Sequence, residues 1–170
     1  MTTLNGHYFD GPAMPWKSSH QGSFCHQIAP DETFTAGKPF VTWISSLSSR
    51  FYIYISHCGI FNFTSWYGST EELWFPDKDL EGPYWYGPRS YTYSPHLMVD
   101  NWDTPILIIT GANDFRIPYT QSLEAFTAAQ ILGVPSRLLF FEDEYHFVTK
   151  PQNAIIWQRE FFEWLEMYLN

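Results

Sequence analysis

The feature that most constrains this chain is the aliphatic run TPILIITG at residues 104–111, which is closed by a glycine. Continuous rather than alternating hydrophobicity is typical of a strand that is buried on both faces, as in the centre of a parallel sheet. The β-branched and aromatic run FYIYISHCGIF (residues 51–61) and the run SRLLFFEDE (residues 136–144) predict two further strands. The sequence therefore predicts a sheet with at least three buried strands.

Helical patterns follow two of these strands. Between residues 111 and 136, a helical stripe of Leu123, Phe126 and Ala129 or Gln130 ends at Gly133, which predicts a strand–helix–strand crossover. Pro151 suits the first position of a second helix. Apolar residues then recur at helical spacing to the end of the chain: Ala154, Trp157, Phe161, Trp164 or Leu165, and Tyr168. This alternation predicts an α/β fold, with a parallel sheet flanked by helices.

Two segments lack such signals. Residues 1–33 show little apolar periodicity and many Gly, Pro, Ser and His residues, which predicts an irregular N-terminal segment. Residues 66–99 contain many aromatic side chains but no strand pattern. We interpret them as a long insertion on the ligand side of the sheet.

Charge and hydropathy exclude several partners. The chain has 18 acidic and 9 basic residues and a formal charge of −9, so it would repel a nucleic-acid backbone. The N-terminus lacks the pattern of a signal peptide, and no run of about 18 apolar residues predicts a membrane span. We therefore expect a cytoplasmic protein with no membrane partner. The two cysteines, Cys25 and Cys58, are expected to be free thiols.

Asp114 and His146 each lie just beyond the carboxyl end of a predicted strand, where open α/β sheets bind their ligands. They are 32 positions apart, about the length of one strand–helix–strand crossover. A carboxylate so placed could orient an imidazole that acts as a general base. Alternatively, Asp114 only caps a loop or pairs with Arg116, and His146 is one of six histidines in an acidic loop.

A resemblance to a known family favours the catalytic interpretation. Three motifs carry it: SHCGIFNFTSWYGSTEELWFP, TPILIITGANDFRIPYTQSLEAF and GVPSRLLFFEDEYHFVTKPQNAIIWQREFFEWL. From about residue 35 to the end, the chain resembles the catalytic domain of the prolyl oligopeptidase family of serine peptidases (S9), particularly its dipeptidyl-peptidase and acylaminoacyl-peptidase branches. The resemblance implies that residues 34–170 form the C-terminal half of an α/β-hydrolase fold, with Asp114 as triad acid and His146 as triad base.

The sequence departs from the family at the nucleophile. No G-x-S-x-G motif occurs, and alignment with the family's elbow places Thr35 at the nucleophile position and Thr33 where its first glycine belongs. Pro39 also removes a backbone donor near the start of the following helix. Ser45, Ser46, Ser48 and Ser49 lack flanking glycines and are interpreted as helix-end and turn residues. We expect a truncated chain that has lost its nucleophilic serine and is inactive alone.

Other side chains could bind ligands. By the resemblance, Trp66 and Tyr67 would receive a substrate side chain, together with Trp74, Trp85 and Tyr86; alternatively, these aromatics cover an open core. Arg116 and Lys150 could bind a substrate carboxylate, but solvated or acid-paired charges are the simpler interpretation. The spacing of four possible metal ligands fits no closed zinc pattern: His7, His20, Cys25 and His26. The chemistry requires no metal or cofactor.

The sequence thus supports a serine-type exopeptidase of the prolyl oligopeptidase family, with a peptide as substrate. The alternative is a catalytically inactive remnant of the fold that binds a peptide or another partner. A carbohydrate-binding module has only the aromatic content, 20% of residues, in its favour. If early strands of the family domain are missing, unpaired sheet edges would favour self-association.

Overall fold

The computed structural model describes the backbone of three short strands within the first 34 residues, and every residue from 51 to 169. The strands are β1 (Gly6–Gly11), β2 (Cys25–Ile28), β3 (Thr33–Phe34), β4 (Ile53–His57), β5 (Ile106–Gly111) and β6 (Ser136–Phe141). The helices in the described ranges are α1 (Phe63–Tyr67), α2 (Trp74–Asp79), α3 (Thr120–Leu132) and α4 (Pro151–Leu169).

The strands form one sheet in the order β1-β6-β5-β4-β2-β3. Strands β4, β5 and β6 are parallel, with Ile106 of β5 opposite Tyr54 on one side and Ser136 on the other. Strands β1 and β2 pair antiparallel with β6 and β4. The predicted fold class, a parallel sheet flanked by helices, is confirmed. The predicted boundary between residues 33 and 34 stays a prediction.

The side chains of the parallel strands divide the core into two layers. On one face, Ile106 and Ile108 of β5 pack with Ala125 and Ala129 of α3. On the other face, Leu107 and Ile109 belong to the cluster that contains Trp164 of α4. Since alternate residues of a strand point to opposite faces, a strand covered by helices on both sides must be apolar throughout. This explains the aliphatic run from which the fold was predicted.

Helix α3 ends as predicted, and its buried face matches the predicted stripe in part, because Ala129 is buried and Phe126 packs against the same cluster. Gly133 terminates it with a positive φ of 79°, a conformation that glycine adopts without strain. Leu123, predicted to lie on the buried stripe, is 38% exposed, and the buried positions are Gln121, Ser122, Ala125 and Ala129. Gln121 accounts for the shift, because its side chain hydrogen bonds the loop after β4.

Helix α4 begins at Pro151, as predicted, and packs Trp164 against the sheet. The predicted insertion contains no strand: α1 and α2 are followed by four short 3-10 turns between Tyr84 and Asn101. None of the helices in the described part of the chain has the length and hydropathy needed to cross a bilayer.

Candidate active site

Asp114 is fixed in the turn that follows β5. Its Oδ1 accepts hydrogen bonds from the backbone N–H groups of Arg116 and Ile117, at 3.0 and 2.9 Å. These two donors hold the carboxylate in one orientation, so that Oδ2 is directed at the neighbouring loop. The side chain is buried, and burial strengthens the interactions of a charge that already has partners.

His146 lies on the loop after β6, and its Nδ1 is 2.8 Å from Asp114 Oδ2. The ring is buried and meets Phe147 edge to face, with the ring centroids 4.9 Å apart. Its Nε2 has no hydrogen-bond partner among the described residues. With Nδ1 donating to the carboxylate, Nε2 carries the lone pair, and this nitrogen is available to accept a proton.

Gly111 allows the two loops to approach each other. A Cβ at this position would lie 2.4 Å from the carbonyl oxygen of Tyr145 and 2.5 Å from that of Glu144. Asn113 N–H also donates to the Glu144 carbonyl at 3.0 Å. Any larger residue at 111 would push the His146 loop away from the Asp114 turn, so the hydrogen-bonded pair depends on this glycine.

The Glu144 carboxylate holds the His146 loop from inside. It is fully buried and accepts hydrogen bonds from the backbone N–H groups of Thr149 and Lys150, the Thr149 hydroxyl and the Asn153 amide. Asn153 lies in the first turn of α4. Charge-assisted hydrogen bonds from the buried Glu144 carboxylate thus connect the residue two positions before His146 with Thr149 and Lys150, and with the first turn of α4.

Two residues at the end of β4 complete the surroundings of the pair. Cys58 has a positive φ of 51°, and its thiol donates to the His146 carbonyl, with Sγ and O 3.2 Å apart. Burial raises the pKa of the Cys58 thiol well above its usual range, and the Asp114 carboxylate raises it further. Burial and, to a smaller extent, the charge of His146 lower the pKa of His57 to about 4, while Asp114 raises it. His57 is therefore neutral near pH 7.

The structure buries both residues that were predicted to bind substrate. Trp66 packs with Cys58 and Ile117, and its Nε1 donates to the Arg116 carbonyl at 3.1 Å. The hydroxyl of Tyr67 donates to Asp77 at 2.9 Å. The Tyr67 ring makes edge-to-face contacts with three aromatic residues: Tyr84, Trp85 and Tyr91. The substrate-binding role of Trp66 and Tyr67 stays a prediction.

The two cations considered for a substrate carboxylate are both paired with acids. Arg116 makes a bidentate ion pair with Glu72, with Nε–Oε2 and Nη2–Oε1 distances of 2.9 Å. Lys150 pairs with Asp143. Because Arg116 directly follows the Asp114 turn, its pair with Glu72 ties that turn to the segment between α1 and α2.

The predicted nucleophile position, Thr35, lies outside the described residues, as do Ser45, Ser46, Ser48 and Ser49. The side chains of the possible metal cluster are also outside them: His7, His20, Cys25 and His26. The structure therefore brings together Asp114 and His146, and their roles in catalysis stay predictions.

Sequence reasoning missed Glu144, Cys58 and His57. The signal for Glu144 was an acid directly after an apolar strand, with Thr149 and Asn153 a short distance beyond. The signal for the other two was a His-Cys pair at the end of a predicted parallel strand, the same kind of position that identified Asp114.

Comparison with known proteins identifies the family of this chain. Residues 36–170 match the family model described as "Prolyl oligopeptidase family". Dipeptidyl-peptidase 5 of Porphyromonas gingivalis is 47% identical over 135 residues, which is 76% of this chain and 20% of that protein. Dipeptidyl-peptidase 5 of Schizosaccharomyces pombe is 36% identical over 135 residues, 78% of this chain and 20% of the relative.

Solved structures show the same relationship. The acylaminoacyl peptidase of Pyrococcus horikoshii superimposes with a TM-score of 0.68 at 25% identity, over 74% of this chain and 21% of that one. The chain thus spans about a fifth of the length of the proteins it matches. The fold is that of an α/β-hydrolase peptidase, and the chain belongs to the prolyl oligopeptidase family of serine peptidases.

Proposed function

We propose that Asp114 and His146 are the acid and the general base of a serine-type exopeptidase site that acts on peptides. One observation carries this proposal: His146 Nδ1 is 2.8 Å from Asp114 Oδ2, and Nε2 has no hydrogen-bond partner among the described residues. In such a pair the carboxylate fixes the tautomer and stabilises the imidazolium that forms on proton transfer. The dipeptidyl-peptidase and acylaminoacyl-peptidase names of the relatives support peptides as the substrate class.

We further propose that the nucleophilic serine has been lost in this chain. Alignment with the family motif places Thr35 at the nucleophile position, and Thr33 stands where the first glycine of the elbow belongs. The additional methyl group of threonine crowds a strained turn. Since the members of a triad act as a unit, a well-placed acid–base pair does not hydrolyse peptides without its nucleophile. The chain alone is then inactive, although it retains the proton-transfer half of the site.

Labelling with a fluorophosphonate, followed by mass spectrometry of the modified peptides, tests this proposal. We expect no modified peptide from the folded chain, in a reaction where an added active serine peptidase is labelled. Labelling of Thr35, or of a serine between 45 and 49, that disappears in His146→Ala would show that a nucleophile is present. His96→Ala is the matched control, because His96 lies away from the pair and hydrogen bonds Ser94 instead.

Peptide binding without catalysis is a second candidate function, and an exposed aromatic surface favours it. Trp85 is 60% exposed and Tyr86 80%, and both lie in the short turns next to Tyr67. Trp74 is exposed on the neighbouring helix α2. Exposed aromatics that cluster in this way are typical of recognition surfaces, where they supply contact area at low cost in side-chain entropy.

Calorimetric titration with the dipeptide Ala-Phe and its N-acetylated form tests this second candidate. We expect Trp85→Ala to weaken binding at least about tenfold, the size of effect found when an aromatic anchor is truncated. Tyr52→Ala is the matched control, because Tyr52 is as exposed as Trp85 but precedes β4. Absence of heat with both peptides, or equal losses in the two variants, would contradict binding at this surface.

A further inference from the structure

The Asp114–His146 pair and the Cys58 thiol beside it bring three potential metal ligands together. One ligand atom each from Cys58, Asp114 and His146 lies within 4.8 Å of the other two, and all three side chains are buried. Among the described residues, only this group of three or more His, Cys, Asp or Glu side chains is close enough to hold an ion. The role of Asp114 and His146 as an acid–base pair does not explain why a thiol lies next to them.

The topology explains why the three ligands converge. Each follows one of the parallel strands, Cys58 after β4, Asp114 after β5 and His146 after β6, and these strands end at the same edge of the sheet. Along β4 the side chains point alternately to the two faces of the sheet, and the positive φ of Cys58 interrupts this pattern just after the strand. The thiol is thereby brought to the His146 carbonyl, with Sγ and O 3.2 Å apart. The site is held by the backbone of the sheet, not by flexible surface side chains.

We propose that Cys58, Asp114 and His146 form a binding site for a thiophilic divalent cation such as Zn²⁺. A thiolate, a carboxylate and an imidazole are all common zinc ligands, and three protein ligands plus one water form a frequent open zinc site. With metal–ligand bonds of about 2.0–2.3 Å, neighbouring ligand atoms in a tetrahedral site lie about 3.3–3.6 Å apart. The Asp114–His146 separation of 2.8 Å would need to open by about 0.5–0.8 Å to reach these values.

Binding requires two protons to move. The Cys58 thiol loses its proton to solvent and becomes a thiolate, since only the deprotonated sulfur coordinates a metal. His146 Nδ1 exchanges its proton for the metal, and the ring proton moves to Nε2. The thiol gives up its hydrogen bond to the His146 carbonyl, and Asp114 Oδ2 bonds the cation instead of the ring. No change of oxidation state is involved.

The consequence for catalysis rests on the proposed function. A cation among these ligands occupies the carboxylate that orients His146 and places a proton on Nε2, the nitrogen that would act as the base. Bound metal therefore blocks proton transfer in any form of this site that has a nucleophile. The peptidase chemistry itself needs no metal, so the cation acts as an inhibitor that is displaced by chelators.

Titration of the folded full-length chain with Co²⁺, followed by displacement with Zn²⁺, tests the cation site without any need for turnover. We expect a near-ultraviolet band from thiolate-to-cobalt charge transfer and the visible bands of four-coordinate cobalt. Cys58→Ser should abolish the charge-transfer band and weaken Zn²⁺ binding at least about tenfold, since loss of even an outer partner costs 10–100-fold. Asp114→Asn keeps the shape of its side chain and should weaken binding similarly.

Cys25→Ser is the matched control, because Cys25 is the other thiol of the chain and belongs to β2. It should leave the band and the Zn²⁺ affinity unchanged. Circular dichroism of each variant shows that it is folded. A wild-type chain without the band, or a band that survives in Cys58→Ser or disappears in Cys25→Ser, would overturn the cation site. Fluorophosphonate labelling reports separately on the nucleophile, so the two proposals fail independently.

Discussion

Replacing Glu160 with leucine should lower the free energy of unfolding by about 3 kcal/mol, because it removes a buried carboxylate that pairs with the buried guanidinium of Arg137. Arg137 Nη1 lies 3.1 Å from Glu160 Oε2, and the two side chains are 8% and 4% exposed. A second acid, Glu163, lies 3.9 Å from Arg137 Nη1 and is half exposed, so it compensates only weakly for the loss of Glu160. Urea unfolding followed by circular dichroism measures the change.

The double variant Arg137→Met, Glu160→Leu compares the cost of removing one charged partner with the cost of removing both. Since neither side chain is then charged, we expect the double variant to be more stable than Glu160→Leu alone. Glu163→Gln is the matched control on the exposed side of α4 and should change stability by less than about 0.5 kcal/mol. If the double variant were as unstable as the single one, packing rather than charge would explain the loss.

This ion pair matters for the site because of where it lies. Arg137 is on β6 and Glu160 on α4, and His146 is on the loop that connects these two elements. The guanidinium also lies 5.5 Å from the centroid of the Trp164 ring, which packs α4 against the sheet. The two elements that flank the His146 loop are thus joined by a buried interaction between charges.

The strands could be predicted from the sequence because the burial of a strand is visible in its own short run of apolar residues. In β5, every residue from Ile106 to Gly111 is buried, and a short continuous aliphatic run closed by glycine is typical of a strand covered on both faces. The buried face of α3 could be predicted only in part, because the Gln121 side chain accepts hydrogen bonds from backbone N–H groups 59 and 60 residues earlier in the chain. A hydrophobic pattern contains no information on such a contact, so Leu123 was assigned to the wrong side.

The same distinction applies to the site. Asp114 and His146 could be brought together from sequence because each follows a parallel strand, and strand topology alone places them at one edge. The contribution of Glu144 depends on backbone N–H groups five and six residues later that turn back toward it. The contribution of Cys58 depends on its positive φ. A cysteine in the sequence does not indicate this conformation, because residues other than glycine adopt it uncommonly. Such features depend on tertiary contacts, and these contacts produce no periodic pattern in the sequence.

Replacing Glu144 with alanine should both destabilise the fold and release His146. The loss leaves the backbone N–H groups of Thr149 and Lys150 without their acceptor. The Asn153 amide loses one of its two acceptors and keeps its hydrogen bond to Asp143. A buried donor without a partner costs about 1–3 kcal/mol, so with two partly buried backbone donors we expect a loss of about 3 kcal/mol. Urea unfolding measures this change, with Glu142→Ala, an exposed neighbour on the same loop, as the matched control.

Proton NMR separates a positioning role of Glu144 from a purely structural one. In the native state, a hydrogen bond between His146 Nδ1 and Asp114 Oδ2 at 2.8 Å should give a resolved, slowly exchanging ring proton. Asp114→Asn identifies that signal by abolishing it. We expect Glu144→Ala to lose it under conditions where the protein is still folded, because the loop is no longer held against the Asp114 turn. Glu144→Gln, which keeps one acceptor oxygen, should retain a weakened signal. A Glu144→Ala protein that is less stable but keeps the full signal would show that the carboxylate supports the fold and does not position the base.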